Sequence, residues 1–301
     1  MRYPGGKSGS GVYHRLINLM PPHLVYCEPF LGGGAVMRLK RPAPYNVGVD
    51  LDADVIAGWL ASSGDRSLAE TQSRPAEAAK TPLLQPDLVA AALLQPNLVA
   101  ASRNAASGRA ASSGRRGTAE APLKDSGCDG NFAAGGPRFR FLRGDGLTFL
   151  ASYPFQPMDL IYCDPPYLME TRSSGRLYKH EMSDAQHAEL LATILDLPCR
   201  VMISGYWSEM YADALQGWRS INFEAMTRGG MATEWLWFNF PEPDELHDWR
   251  FLGKDNRERT NFRRQKERWI ARLRRMPVLK KRALLAAITE VALPRHRPPP
   301  V

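Results

Sequence analysis

Residues 159–167 read Asp-Leu-Ile-Tyr-Cys-Asp-Pro-Pro-Tyr, an apolar run that ends in an acid, two prolines and an aromatic ring. Two consecutive prolines have no amide hydrogen to donate, so a strand must end at this point. The prolines hold a backbone carbonyl rigidly beside the Asp164 carboxylate, so that two acceptors face the same space. With Tyr167 as a flat apolar face, this arrangement suits a planar group that carries an –NH2.

The chemistry that these residues favour is the alkylation of such an amine. An exocyclic amine on a nucleobase is a poor nucleophile because its lone pair is delocalised into the ring. Acceptors for both N–H bonds draw the nitrogen toward tetrahedral geometry, and the enzyme contributes positioning and electrostatics. No covalent intermediate is needed, so we interpret Cys163 as a core residue. The candidate catalytic residues are Asp164, Pro165, Pro166 and Tyr167.

The amine of a duplex is stacked and paired, so the nucleotide must be flipped out of the helix, as base-modifying enzymes do. Tyr167 would then stack on the extruded base. The alternative for this motif is a plain turn that terminates a strand.

Two upstream segments place ligand-binding residue types at strand ends. The sequence Glu-Pro-Phe-Leu-Gly-Gly-Gly occupies 28–34, directly after an apolar strand, and Val-Gly-Val-Asp at 47–50 ends a second strand in an acid. Glycines allow a backbone to approach a ligand closely, and an acid at this position can bind ribose hydroxyls. We therefore expect a pocket for a cofactor that contains a nucleoside, although a glycine-rich turn alone can also be purely structural. Neither a dinucleotide fingerprint nor a phosphate-binding loop is present.

The elements that must position these residues alternate between strands and helices. Strands are predicted at 24–28, 45–50, 158–163, 199–206 and 233–240, and helices at 53–60, 183–195 with Ser183 as N-cap, and 207–215. The order strand, turn, helix, strand is typical of βαβ units and a parallel sheet. The fold class predicted is α/β.

The combination of four segments resembles the Dam-type, D12-class DNA adenine-N6 methyltransferases. The segments are RYPGGK (2–7), EPFLGGG (28–34), VGVDLDADVI (47–56) and IYCDPPY (161–167), in that order. The resemblance covers residues 2–60 and about 139–240. It implies S-adenosyl-L-methionine as cofactor, DNA as partner, and a Rossmann-like methyltransferase sheet with helices on both faces.

The resemblance also implies which residues hold the cofactor. The amino-terminal element, the glycine-rich turn, the ribose-binding acid, a strand-end acid and the catalytic acid would all contact it. These positions are Tyr3, Gly5, Gly6, Lys7, Glu28, Phe30, Gly32, Gly34, Asp50, Asp145 and Asp164. Lys7 can reach the carboxylate of the cofactor.

The chain is basic, and the excess charge has a location. The net charge is +8, and residues 249–282 hold 14 Lys and Arg against 3 Asp and Glu. Such a block favours nucleic acid as partner, here duplex DNA, and the alternative is a solvated helix face. The candidates for phosphate contact lie in this block and in the loop after the double proline, where an ordinary solvated loop is the alternative. They are Arg172, Arg176, Lys179, Arg263, Arg264, Lys266 and Arg268.

The predicted domains follow from composition. Residues 1–60 and 138–245 form the catalytic domain. Residues 61–137 form a low-complexity insert in which LLQPDLVAA (83–91) recurs as LLQPNLVAA (93–101). The insert stands where the resembled family has its target-recognition domain, and we expect it to be poorly ordered, with a small helical insert as the alternative. Residues 246–293 form a basic helical extension, and 294–301 a disordered tail.

Several classes of protein are excluded or left open by the sequence. Four scattered cysteines without a CxxC pair favour neither disulfides nor zinc, and suit the cytoplasm. Apolar stretches are too short for a membrane span, and no export signal is present. We expect a monomer without a metal. Other possibilities remain open: methylation of cytosine N4 or of a base in RNA, and an inactive DNA-binding relative.

Overall fold

A computed structural model describes residues 7, 11–63, 136–172, 178–227 and 230–292. The described part of the insert is limited to its edges, so the prediction for 64–135 lies outside the described residues, as do Tyr3, Gly5, Gly6, Arg176 and the tail beyond 292.

A seven-stranded sheet forms the centre of the fold. Its strands are β1 (Val25–Glu28), β2 (Tyr45–Asp50), β3 (Arg138–Arg143), β4 (Leu160–Cys163), β5 (Arg200–Gly205), β6 (Arg219–Thr227) and β7 (Gly230–Phe238). The spatial order is β3-β2-β1-β4-β5-β7-β6. The first five strands are parallel to their neighbours, and β7 is antiparallel to both β5 and β6.

The described helices are short near the sheet and long at the carboxyl end. They are α1 (Val12–Ile17), α2 (Ala35–Leu39), α3 (Ala53–Ser63), α4 (Gly146–Ser152), α5 (Asp184–Leu195), α6 (Glu209–Ala214), α7 (Asn256–Arg275) and α8 (Val278–Ala292). Helix α5 begins at the predicted cap, because the Ser183 side chain accepts from the Gln186 amide in a reciprocal capping box.

Two hydrophobic cores cover the two faces of the sheet. On β1, Cys27 belongs to one core and Tyr26 to the other, as the period of two in a strand requires. The first core takes its helical residues from α4, α5 and α6, and the second from α1, α2 and α3. The predicted α/β, Rossmann-like sheet with helices on both faces is therefore confirmed.

The strand order reverses at β1, which pairs with β2 on one side and β4 on the other. Ligands of open α/β sheets bind at such a point, beyond the carboxyl ends of the strands. Glu28 ends β1, Asp50 ends β2 and Asp164 follows β4, so the fold brings three candidate acids to one crevice.

The β6–β7 hairpin is where sequence and structure differ most. Residues 219–227 were not predicted as a strand, because polar side chains such as Arg219, Asn222 and Glu224 interrupt the apolar pattern. These side chains are exposed, as an edge strand permits. The hairpin places β7 beside β5, where Ser204 pairs with Leu236.

Candidate active site

A pocket of about 950 Å³, open to solvent, lies at the carboxyl ends of β1, β2, β3 and β4. The glycine-rich turn, the acids after the strands and the segment 178–186 form its walls. Of the predicted residues, its lining contains Lys7, Glu28, Phe30, Gly32, Gly34, Asp50, Asp145, Asp164 and Pro166. The fold thus brings together every candidate cofactor residue that the structure describes.

The glycine-rich turn adopts a backbone that other residues rarely take. Gly32 has φ 46° and Gly34 has φ 51°, both in the left-handed region. A Cβ added at Gly34 would lie 2.2 Å from the Trp59 ring. Trp59 also donates its ring N–H to the Gly32 carbonyl at 3.1 Å. Glycine is therefore required here to bend the chain around the pocket.

Asp50 anchors this turn from the neighbouring strand. One of its carboxylate oxygens accepts from the Gly32 amide at 2.8 Å and the other from the Asp52 amide at 2.8 Å. Burial raises the pKa of Asp50, while these two amide donors lower it. Each oxygen retains a second lone pair that can accept from a ligand hydroxyl.

Glu28 is a buried carboxyl group, and its side chain accepts from the Tyr26 hydroxyl at 2.8 Å. Burial raises its pKa to about 8, with Tyr26 acting in the opposite direction. Glu28 is therefore largely protonated at neutral pH, and it presents a neutral wall to the pocket.

Asp145 caps the amino end of α4, where its carboxylate accepts from the backbone amides of Leu147 and Thr148. It also lines the pocket, so the side chain that caps α4 is the one predicted to contact the cofactor. Phe30 lies near the same place, since a Cβ on Gly146 would approach its ring to 3.1 Å.

Asp164 has one oxygen bound to the protein. Its Oδ1 accepts from Lys7 Nζ at 2.8 Å, from Ser204 Oγ at 2.9 Å and from the Tyr167 hydroxyl at 3.2 Å. Among the residues that the structure describes, none donates to Oδ2. The carboxylate is thus fixed in orientation, with its second oxygen available as an acceptor.

Lys7 lies against the double-proline motif and not only near the glycine-rich turn. Its ammonium group is buried, contacts Asp164 and the Tyr167 hydroxyl, and lies 3.6 Å from Glu234 Oε1. Burial alone would lower the pKa of Lys7, but the charges of Asp164 and Glu234 outweigh it and raise this pKa above the ordinary value. Lys7 is therefore charged at any physiological pH.

Tyr167 differs from the expectation of an open stacking face. Its side chain is 6% exposed, and its ring packs edge-on against Tyr206 at 4.8 Å between centroids. Pro165 and Tyr167 do not line the pocket in its described part, whereas Asp164 and Pro166 do. Trp207, which follows the end of β5, is 54% exposed.

The loop after the motif closes one side of the pocket. Arg172, a predicted phosphate contact, is buried in this structure: its guanidinium pairs with Glu181 at 2.8 Å and donates to the Tyr167 carbonyl. Lys179, another predicted phosphate contact, pairs with Asp52 at 2.8 Å and with Asp54 at 3.1 Å. Arg172 therefore joins the two described ends of the segment after the motif, and Lys179 joins that segment to the residues that follow β2.

The remaining phosphate candidates lie on α7, and all four are exposed: Arg263, Arg264, Lys266 and Arg268. The apolar residues Phe262 and Trp269, seven positions apart, share one face of this helix and are 37% and 49% exposed. Helix α7 is thus amphipathic, as the sequence predicts.

Two polar residues at the site were missed from the sequence, Ser204 and Glu234. Ser204 follows three apolar residues of β5, and Glu234 is a charged residue in an aromatic strand, between Thr233 and Trp235. A charged residue within an apolar and aromatic strand was the one available signal. Their proximity to Asp164 depends on the strand order, which the sequence does not contain.

Cys163 belongs to the core, as interpreted from the sequence. Trp237 belongs to the same core, and Trp235 packs against it. Among the described residues, no group of three or more His, Cys, Asp or Glu is placed to hold a metal ion. No helix in the described ranges is long and apolar enough to span a bilayer.

Comparisons with known proteins give distant structural likenesses only. No family model and no curated protein matches the chain. The precorrin 8W decarboxylase of Methanobacterium thermoautotrophicum aligns at 10% identity and TM-score 0.34, over 79% of this chain and 97% of its own. The magnesium protoporphyrin IX methyltransferase of Synechocystis PCC 6803, with bound SAM, aligns at 10% identity and TM-score 0.35, over 76% of this chain and 75% of its own.

A SAM-dependent methyltransferase from Agrobacterium tumefaciens aligns at 11% identity and TM-score 0.31, over 76% of this chain and 60% of its own. Because these TM-scores are low, the fold of this chain is established by its own strand order, and the geometry of the pocket is the basis for its activity.

Proposed function

We propose that the protein transfers a methyl group from S-adenosyl-L-methionine to the exocyclic N6 amine of adenine in DNA. The observation that carries the proposal is the Asp164 carboxylate, which has one oxygen fixed by three donors and the other without a donor among the described residues, in a pocket walled by a glycine-rich turn and strand-end acids. The DPPY, PGGK and glycine-turn motifs supply the family resemblance.

The residues of the pocket fit the proposed cofactor. The left-handed glycines leave room beside the turn, and Asp50 retains lone pairs for ribose hydroxyls. Glu28, Phe30 and Asp145 would complete the walls around the nucleoside. When bound, the cofactor supplies a methyl group on a positively charged sulfur.

The residues at the end of β4 would act on the amine. Asp164 Oδ2 would accept from one N–H bond. The second acceptor would be a backbone carbonyl of the double-proline turn, of which Pro166 lines the pocket and Pro165 does not. Because Oδ1 is held by Lys7, Ser204 and Tyr167, the carboxylate does not reorient when the amine arrives, and its contribution is preorganised. The extruded base needs an aromatic face, which the exposed Trp207 offers in this conformation and Tyr167 does not.

DNA as the substrate is supported by the charge of the extension. Helix α7 presents exposed arginines beside Phe262 and Trp269, a composition suited to phosphates and sugar faces. Arg172 and Lys179 would contact phosphate only after release from their ion pairs.

Incubation with labelled S-adenosyl-L-methionine and duplex DNA, followed by hydrolysis to nucleosides, tests the proposal. We expect N6-methyladenine. Label found in N4-methylcytosine, or only in RNA, would show that the substrate is cytosine or RNA. The proposed mechanism would still hold, since the acceptors serve any exocyclic amine. Cofactor binding in calorimetry without label in any nucleic acid would indicate an inactive relative.

The variant Asp164→Asn is the matched test of the acceptor. It keeps the shape of the side chain and removes its charge, and we expect kcat to fall by about 10²–10³-fold. Cofactor affinity measured by calorimetry should change much less, because the other walls remain. Unchanged kcat would contradict the role of Asp164.

A further inference from the structure

Lys7 and Asp164 form a charged cluster beside the double-proline motif, and Glu234 adds a second carboxylate to it. Lys7 Nζ lies 2.8 Å from Asp164 Oδ1 and 3.6 Å from Glu234 Oε1, so a single ammonium group faces two acids. The Lys7 side chain is 4% exposed and that of Glu234 6% exposed, so water screens these charges poorly. Nothing in the resemblance or in the proposed function gives Glu234 a role.

Glu234 reaches this cluster because of the hairpin topology. It lies on β7 one residue from Trp235, which pairs with Gly205 at the end of β5. Its side chain therefore stands just beyond the edge at which Asp164 follows β4. Glu234 Oε2 has no hydrogen-bond partner among the described residues and is shielded from solvent. A buried carboxylate oxygen without a donor costs stability, so packing alone does not explain this residue.

We propose that Glu234 is a positioning residue for methyl transfer, which acts through Lys7 and maintains the negative charge of the Asp164 cluster. This inference rests on the proposed function. In the reaction, the accepting nitrogen gains the methyl carbon and a positive charge, the sulfur becomes a neutral thioether, and the nitrogen then loses a proton to water. The charge that develops on the nitrogen is stabilised by a cluster that is negative overall.

The charges of the cluster explain why Lys7 needs a second partner. With Lys7 and Asp164 alone, the ammonium would neutralise the carboxylate that must attract the developing charge. Glu234, 3.6 Å from the same ammonium, adds a second carboxylate, so the three side chains together carry one net negative charge. The neutral amine of the unreacted base gains little from this charge, so the effect belongs to the transition state.

The variant Glu234→Gln tests the inference, since it keeps the size of the side chain and removes its charge. The matched control is Glu224→Gln on the adjacent strand β6, where the side chain is exposed and, among the described residues, accepts from Thr233 alone, at 2.7 Å. We expect Glu234→Gln to lower kcat at least about tenfold with KM for DNA within about threefold, and Glu224→Gln to match the unaltered chain.

A double-mutant cycle with Lys7→Met separates action through Lys7 from general damage. Without the ammonium, two neighbouring carboxyls lose their shared counter-charge, and the less exposed one, Glu234 at 6% against 24% for Asp164, takes up a proton, so Glu234 loses its charge in that background. Glu234→Gln should then lower kcat by less than about twofold further, a non-additive result. Urea unfolding of all four proteins provides a readout independent of activity, and we expect coupling between the two sites there as well.

The outcomes distinguish the two claims. If the unaltered chain transfers methyl groups and Glu234→Gln keeps its kcat, or if the two substitutions act additively on kcat, the inference is overturned and the proposed function stands. If the unaltered chain transfers no methyl group to DNA, the proposed function is overturned, and the catalytic role of Glu234 with it.

Discussion

Gly34 shows how a single residue joins the fold to the pocket. Its backbone is left-handed with φ 51°, and the space where a side chain would begin is occupied by the Trp59 ring. The same ring is covered by the Arg38 guanidinium at 3.6 Å from its centroid. The turn, α2 and α3 are therefore packed together at one point beside the pocket.

The variant Gly34→Ala should lower the free energy of unfolding by about 3 kcal/mol, from the left-handed backbone and the displaced ring. Cofactor affinity should fall as well, because the turn that walls the pocket must move. Denaturant unfolding and calorimetry measure the two effects.

Gly58→Ala, one residue from Trp59, is the control. Gly58 is exposed within α3 and a Cβ there meets nothing within 4 Å. Alanine at this helical position should raise stability by about 1 kcal/mol. If Gly34→Ala were as stable as Gly58→Ala, the steric account of the turn would be wrong.

Much of the site could be predicted at the scale of residues because its signals are local. Consecutive prolines, clustered glycines and acids at the ends of apolar runs are visible in the sequence, and they identified Asp164, Asp50 and the turn. The contacts of Lys7 with Asp164 and Glu234 were not predictable, since these residues are 157 and 227 positions apart and meet only through the strand order.

At the scale of elements, the segment 246–252 fastens the carboxyl-terminal helices to the sheet. The His247 amide donates to the Met20 carbonyl at 2.9 Å, and its ring stacks on His23 at 3.9 Å between centroids. Asp248 accepts from the Arg41 amide at 2.7 Å. Burial and the nearby charges of Lys40 and Arg41 lower the pKa of His247 to about 3.

This pKa predicts a dependence of stability on pH. The folded chain keeps His247 neutral, whereas the unfolded chain protonates it below its ordinary pKa of 6.5. The stability from neutral His247 is therefore complete above pH 6.5 and is lost as pH falls toward about 3. For one proton, the loss is at most about 1.4 kcal/mol per pH unit.

The variant His247→Gln isolates this contribution. We expect the difference in unfolding free energy between the unaltered chain and the variant to be constant above pH 6.5 and to shrink on acidification. Glu28 has the opposite effect, because its raised pKa favours the folded state at lower pH. Both proteins contain Glu28, so its contribution cancels in the difference. A difference independent of pH would contradict the assignment.

The elements themselves were predictable where periodicity was clean and missed where it was not. The parallel strands β1, β2, β4 and β5 are apolar runs, because both of their faces are covered by helices. Strand β6 and helix α1 were missed: the first alternates polar residues on an edge, and the second is a single short element of six residues.

Helix α7 carries a prediction about salt. Replacing Arg263, Arg264, Lys266 and Arg268 by glutamine keeps residues that favour helix and removes four positive charges. If each contacts a phosphate, the slope of log affinity against log salt concentration should decrease in magnitude by about 3.6. Filter binding or fluorescence anisotropy at several salt concentrations measures it.

A triple substitution to glutamine on α8, at Lys280, Lys281 and Arg282, distinguishes the contribution of α8 to DNA binding from that of α7. We expect a smaller change in slope, because only three positive charges are removed and the rest of α8, from Ala283 to Ala292, has no basic residue and one acid, Glu290. An unaltered slope in the α7 variant would remove that helix from the DNA interface.

At the scale of the whole molecule, the sheet is interrupted in sequence but continuous in space. Strand β2 pairs with β3 through six residues, from Tyr45 with Arg138 to Asp50 with Arg143, although 87 residues lie between the two strands. A parallel crossover requires one helix and short loops, and α3 already supplies that helix. The segment 64–135 is therefore not required to close the sheet.

Replacing residues 64–135 by a linker of about eight Gly and Ser residues should consequently leave the catalytic fold intact, since loops of this length connect helices to strands in α/β units. Circular dichroism should keep its α/β signature, and cofactor affinity by calorimetry should stay within about twofold, because all the described residues that line the pocket are kept. Loss of cooperative unfolding in the shortened chain would show that the segment belongs to the core.

The choice of DNA sequence is the property that should change, because this interval stands where the resembled family recognises its target. Sequencing of modified bases in DNA from cells that express either form compares the two. An unchanged sequence preference would place recognition in the described part of the chain, with α7 as the first element to examine.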